Sequence, residues 1–145
     1  MAAAVFEITM SVPKDLLWKV ITDVNAYPQF VKEVVTARKE NETSQSFDGF
    51  FELELLKRFS YRLVFTRQGH EELHWKLAES DFFKKNEGFW KLEAEGDHTK
   101  ATYSLDVDFG FLVPSWVTKK LTQNQLPEMV KSFEKRCLAL LAERK

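Results

Sequence analysis

Apolar and polar residues alternate one by one over Ala101-Tyr103-Leu105-Val107-Phe109, with Thr102, Ser104, Asp106 and Asp108 between them. A period of two puts one face of a β-strand in a core and the other in water. The same period recurs along most of the chain. Phe6, Ile8 and Met10 alternate with Glu7 and Thr9, and Phe51, Leu53 and Leu55 with Glu52 and Glu54. Tyr61, Leu63 and Phe65 alternate with Arg62 and Val64, Leu73, Trp75 and Leu77 with His74 and Lys76, and Trp90, Leu92 and Ala94 with Lys91, Glu93 and Glu95. Val34-Val35-Thr36 starts a further strand. Strands this one-sided pair antiparallel and need one cover for their shared, aromatic-rich face. The chain offers a long amphipathic helix at its C-terminal end, where Leu126, Met129, Val130, Phe133, Cys137, Leu140 and Leu141 form a single stripe.

The remaining segments supply helices and turns. Pro13 opens a helix in which Leu16/Leu17, Val20/Ile21 and Val24 follow at three- and four-residue steps. Asp23 is placed to cap a second short helix that carries Tyr27, Pro28 and Phe30. Gly96-Asp97 marks a tight turn, and Glu42–Ser46, Gln68–Glu71 and Glu79–Asp81 are further turn segments, while no strong turn residue marks Lys57-Arg58. Pro114 begins the last element. Pro127 removes a backbone donor inside it and crowds the carbonyl of Gln123, which predicts a kink over Gln123 to Leu126. The half upstream of the kink, with Trp116, Val117 and Leu121, is thinly apolar and reads as a lid.

Composition narrows the function. A chain of 145 residues with 44% hydrophobic content buries about two-thirds of its unfolded surface in one core, so residues 1–145 read as one domain. Its 21 basic and 22 acidic residues are evenly scattered, with no stripe of the kind that neutralises phosphates, so nucleic acid is not an expected partner. The single cysteine, Cys137, reads as a small core hydrophobe. The N-terminal residues lack the pattern of a signal peptide and no apolar run approaches the about 18 residues of a membrane span, so a cytoplasmic protein without stable membrane insertion is expected, transient membrane contact being left open.

His70-Glu71-Glu72-Leu73-His74 matches the H-E-x-x-H pattern of zinc hydrolases, which works only on a helix, where the two histidines share a face. Here Gly69 precedes it and period-two residues follow. On a strand, histidines four apart stand about 13 Å from one another, too far for one zinc. No metal or cofactor is therefore expected. Glu52, Glu54, Asp106 and Asp108 alternate away from the apolar face, as solvated residues do, which leaves no carboxylate pair for acid–base work inside.

The order β-α-α-β6-α resembles the helix-grip fold of the START and birch-pollen-allergen (SRPBCC) superfamily. Val12-Pro13-Lys14-Asp15-Leu16-Leu17-Trp18-Lys19-Val20 and Asp23-Val24-Asn25-Ala26-Tyr27-Pro28-Gln29-Phe30 look like the opening of its polyketide cyclase and coenzyme Q-binding group. Asn86-Glu87-Gly88-Phe89-Trp90 and Pro114-Ser115-Trp116 are similar to later signatures of that group. The resemblance implies an α+β fold, with a curved antiparallel sheet of about seven strands wrapped around a long kinked C-terminal helix. It also implies an apolar small molecule held between them, such as an isoprenoid quinone, a lipid or a polyketide. The inward strand residues suit that guest: Phe51, Leu53, Tyr61, Leu63, Phe65, Trp75, Leu77, Trp90, Tyr103, Leu105 and Val107, joined from the helix side by Val117, Leu121, Met129 and Phe133. A carrier or chaperone is the first reading and a polyketide aromatase/cyclase the alternative, with Tyr61 and Tyr103 as its candidate polar groups. A protein-interaction module on the same fold is the third.

Overall fold

The computed structural model describes residues 2–54, 57–110 and 113–143, without the side chains of Ala2, Ala3, Leu121 and Thr122. Seven antiparallel strands form one curved sheet: β1 (Ala2–Met10), β2 (Val34–Glu40), β3 (Ser46–Glu54), β4 (Arg58–Gln68), β5 (Glu72–Ser80), β6 (Lys85–Glu95) and β7 (His98–Asp108). The spatial order β1-β7-β6-β5-β4-β3-β2 leaves β1 and β2 as the two edges. Between β1 and β2 come α1 (Lys14–Thr22) and a 3₁₀ turn (Val24–Gln29); after β7 come α2 (Ser115–Lys120), a π-helical stretch (Leu121–Gln125) and α3 (Leu126–Glu143). This is the α+β helix-grip architecture that the family resemblance implies. Among the described residues no helix is long and apolar enough to cross a membrane.

The period-two residues face the core as expected, except Ala94, which is exposed near the end of β6. Phe47, Phe51 and Leu53 of β3, Phe59, Leu63 and Phe65 of β4, and Trp90 and Leu92 of β6 are all buried. On α3 the buried stripe is Leu126, Val130, Phe133 and Cys137. The ring of Phe133 stands edge-on to Tyr27 and Trp90, 5.3 and 5.2 Å between centroids, which places α3 across the concave face.

Local chemistry changes some element ends. Pro13 is the N-cap of α1 and not its first helical residue, because its ψ of 147° is extended. Asp23 makes no side-chain cap; its backbone N–H closes the end of α1 on Lys19 and Val20. The segment after it is a 3₁₀ turn, since six residues containing Pro28 lack the donors for a regular α-helix. The Tyr27 hydroxyl ties this turn to α1 by donating to the Ile21 carbonyl. Gly96 makes the β6–β7 turn with φ +67°, as the sequence indicates. The expected turn at Glu79–Asp81 starts later: β5 runs to Ser80, and the connection is 81–84. Leu55, counted with the β3 alternation, lies outside the described residues.

Pro127 has the expected local effect in an unexpected form. The five residues Leu121–Gln125 widen into π-helix immediately upstream, so the break in hydrogen bonding is absorbed in the backbone ladder before the proline ring is met. The sheet has a seam as well. Pairing of β5 with β6 runs only from Glu72 opposite Lys91 to Trp75 opposite Gly88, and β6 continues on β7 alone. Gly88 sits at that seam for a steric reason: a Cβ there would lie 1.9 Å from the Ser104 carbonyl oxygen and 2.9 Å from the Trp75 ring.

Candidate functional site

The antiparallel strands bring the end of β3, the start of β4, the end of β5, the start of β6 and the end of β7 to the same end of the sheet. Between these strand ends and the first turns of α3 lies a cavity of about 190 Å³. Its wall is largely aromatic. Trp75 and Trp90 flank Tyr103 at centroid distances of 5.3 and 4.8 Å, and Phe51 stacks on Tyr61 at 5.3 Å. Phe83 meets Tyr61 edge-on at 5.0 Å. Rings held this closely by one another cannot fold into the space they enclose without breaking those contacts.

Twelve of the residues proposed from the sequence share this wall: Phe51, Leu53, Tyr61, Leu63, Phe65 and Trp75, with Trp90, Tyr103, Leu105, Val107, Met129 and Phe133. Two do not. Leu77 pairs with Leu63 beside a register shift, where β5 has already left β6, and packs on the core away from the cavity. Val117 also packs on the core, but it lies on α2, upstream of the part of the helix that covers the opening. The side chain of Leu121 lies outside the described residues.

Sequence reasoning missed Tyr27, Val31, Glu33, Val34, Phe83, Asn86, Phe109, Gln125 and Leu126, all of which line the cavity. Phe109 and Asn86 were within reach, because the period of two carries on from Val107 to Phe109 and back from Trp90 through Gly88 to Asn86. Phe83 had no such signal. It sits in the 81–84 connection, where no periodicity fixes a side chain's direction.

Polar groups on the wall are few and specific. Tyr27 uses its hydroxyl on Ile21. Asn86 is buried, and its side-chain oxygen accepts from Nε1 of Trp75 at 3.1 Å. Burial pushes the hydroxyls of Tyr61 and Tyr103 far above the ordinary phenol range, with Tyr61 adding to the effect at Tyr103. Both stay protonated and neutral at physiological pH, able to hydrogen-bond but not to act as a resident base. Glu33 is the single charged side chain on the wall among the described residues.

The H-E-x-x-H stretch is remote from this chemistry. It spans the β4–β5 turn and the start of β5, where His70 stacks on Trp18 at 5.6 Å and His74 contacts Glu72 at 2.9 Å. Among the described residues, no group of three or more His, Cys, Asp or Glu is placed to hold a metal ion. Asp106, on the outer face, pairs with Lys85 at 2.7 Å, and neither it nor Glu52, Glu54 or Asp108 lines the cavity.

Residues 10–134 match the family model described as polyketide cyclase / dehydrase and lipid transport. The chain belongs to this family. Comparison with curated proteins gives no match. Among solved structures, a START superfamily protein from Mycobacterium smegmatis is similar over 95% of this chain and 98% of its own, at TM-score 0.84 and 19% identity. A STAR-related lipid transfer protein from Xanthomonas axonopodis is similar over 93% and 85%, at TM-score 0.79 and 16% identity. An aromatase/cyclase from a Streptomyces species is similar over 95% and 87%, at TM-score 0.69 and 14% identity. At these identities the likeness establishes the START-like SRPBCC fold, which proteins of more than one activity share.

Proposed function

We propose that this protein of the polyketide cyclase and lipid transport family binds an apolar small molecule, as a carrier or chaperone, in the cavity between sheet and α3. The observation that carries the reading is the unfilled, ring-walled space of about 190 Å³ in an otherwise closely packed interior. A void of this size forfeits dispersion contacts along its whole lining, and an apolar guest restores them. The volume also limits the guest. An engineered cavity of roughly 150 Å³ accepts benzene, so a quinone, lipid or polyketide would be enclosed by one or two rings' worth of its structure, the rest emerging at the strand ends.

Native mass spectrometry of the full chain purified under mild conditions tests this reading. A co-purifying hydrocarbon-rich molecule is expected, and Trp75→Ala should weaken its retention. Protein that is mass-pure in its native state and takes up no apolar probe would end the proposal.

A cyclase reading has one observation of its own: Tyr61 and Tyr103 place two neutral hydroxyls on the wall with no hydrogen-bond partner among the described residues. Incubation with a poly-β-ketone chain should then change its product pattern, and Tyr61→Phe or Tyr103→Phe should abolish the change. An unaltered pattern would leave carriage alone.

A further inference from the structure

The buried amide of Asn86 has a fixed orientation. The indole N–H of Trp75 is a donor and nothing else, so the atom facing it at 3.1 Å is the amide oxygen, and the NH₂ end is turned to other partners. No described residue takes a hydrogen bond from that NH₂, or exchanges one with the hydroxyls of Tyr61 and Tyr103. None of the three is sealed away either: among the described residues, Asp106 Oδ1 is the one polar side-chain atom both shut off and unpartnered. Asn86 and Tyr103 are 7% and 8% exposed, Tyr61 is half-buried, and all three line the cavity.

Leaving buried donors unpaired is unfavourable, and a guest that supplies an acceptor removes that penalty. A charged head group meets the opposite situation. Among the described residues, no lysine or arginine lines the cavity and Glu33 is the wall's one charge, so an anion brought inside would lose its hydration without gaining a counter-ion. Building on the apolar-guest reading, we infer that Asn86, Tyr61 and Tyr103 form a donor patch that selects a neutral guest carrying a carbonyl-type oxygen on its enclosed ring end, and that carboxylate and phosphate heads are kept out. Trp75 is the positioning residue of this patch, since its N–H determines which end of the Asn86 amide is offered.

Three matched probes separate the possibilities: 2-acetylnaphthalene, 2-ethylnaphthalene, which has nearly the same shape without the oxygen, and 2-naphthoate. Water solvates the ketone better than the hydrocarbon, so a wall without donors prefers the ethyl compound. Calorimetric titration of the full chain at pH 8 should instead favour the ketone by about fivefold, the equivalent of one net hydrogen bond, and should show the naphthoate at least about tenfold weaker than the ketone. Tyr103→Phe should remove the preference for the ketone, read as the ratio of the two neutral-probe affinities in the same variant, because it deletes one unpaired hydroxyl and no packing. Asn86→Leu should reverse the preference. A wild-type chain that favours the ethyl compound, a naphthoate that binds best, or a ketone preference unchanged in both variants would each overturn the donor patch while leaving an apolar cavity in place. Failure of both neutral probes to bind would instead remove the cavity reading and the patch with it.

Discussion

The two ends of the sandwich are built from different side chains, and only one of them is solid. At the end where β4 turns into β5 and β6 into β7, the interior is mainly non-aromatic, Met10, Leu17, Ile21, Leu73, Leu92, Val130 and Cys137, each 1% exposed or less, with the ring of Phe47 buried as deeply. There α1 adds a second helix to the cover, and Thr99 closes the layer by donating to the Val12 carbonyl at 2.8 Å. None of these residues touches the cavity. At the opposite end α1 is absent from the lining and the inward positions are held mainly by rings. Branched aliphatic side chains interdigitate and fill; aromatic rings braced edge to face span a gap and hold it open. One sheet thus carries a packed half for stability and an arched half for a guest.

The largest expected effect comes from treating the two halves alike. Leu92→Ala, in the packed half, should cost about 3–5 kcal/mol in urea unfolding, whereas Leu63→Ala on the cavity wall should cost about 1–2, because its methyls already lack neighbours on one side. Equal losses would break the distinction. Next in size is the opposite substitution. Val107→Phe adds a ring to the wall, should change stability by less than about 1 kcal/mol in either direction, and should lower affinity for any apolar probe by at least about tenfold. Retained affinity would mean that guests sit elsewhere.

Much of this contrast was legible in the sequence. Period two identified the inner face of every strand but β2, which was read from Val34-Val35-Thr36 alone, and the spacing of Val130, Phe133 and Cys137 identified the buried stripe of α3. Part of what escaped does not repeat. Phe82 and Phe83 lie in a connection, yet Phe83 meets Tyr61, Phe59 and Phe109 in a ring cluster at the cavity end. Asn86 does fall on the repeat and was missed for its chemistry alone: a polar residue at an inward strand position looks like an alternation error until its Trp75 partner is known. Leu77 failed in the opposite sense: it shares the inward face with Trp75, but it lies past the point where β5 leaves β6 and is not part of the wall. Pro127 was readable as a disruption but not as a π-helix, because the proline specifies which hydrogen bond is lost and not how the ladder adjusts.

Two smaller effects sharpen the picture. Burial, with the Glu134 carboxylate nearby, pushes the Cys137 thiol up to about 12, so the native chain should resist alkylation at pH 8 and react fully once unfolded in urea. Rapid native labelling would show that the packed half opens. The smallest effect belongs to the outer face, where Phe50 lies under Arg38 at 4.2 Å and Arg62 bonds Glu40 at 2.6 Å. Hydrogen bonds from Arg38 and then Arg62 hold the Glu40 carboxyl below the usual carboxylate range. Its contribution is therefore complete above its unfolded value near 4.5 and is lost as pH falls through the lower folded value. Glu40→Gln should lower stability at neutral pH slightly and flatten the decline between about pH 5 and pH 3 by the same small amount. An identical acid limb in thermal melts would discount this pair.

The seam between β5 and β6 has a mechanical consequence. With pairing confined to Glu72–Trp75 against Gly88–Lys91, the sheet amounts to a four-strand leaf and a three-strand leaf joined by a short spine. Bending about such a spine would strain few backbone bonds while each leaf kept its own ladder intact. Deuterium uptake should accordingly be fastest at the spine and slowest within the leaves, and an occupant bridging both leaves should slow it there first.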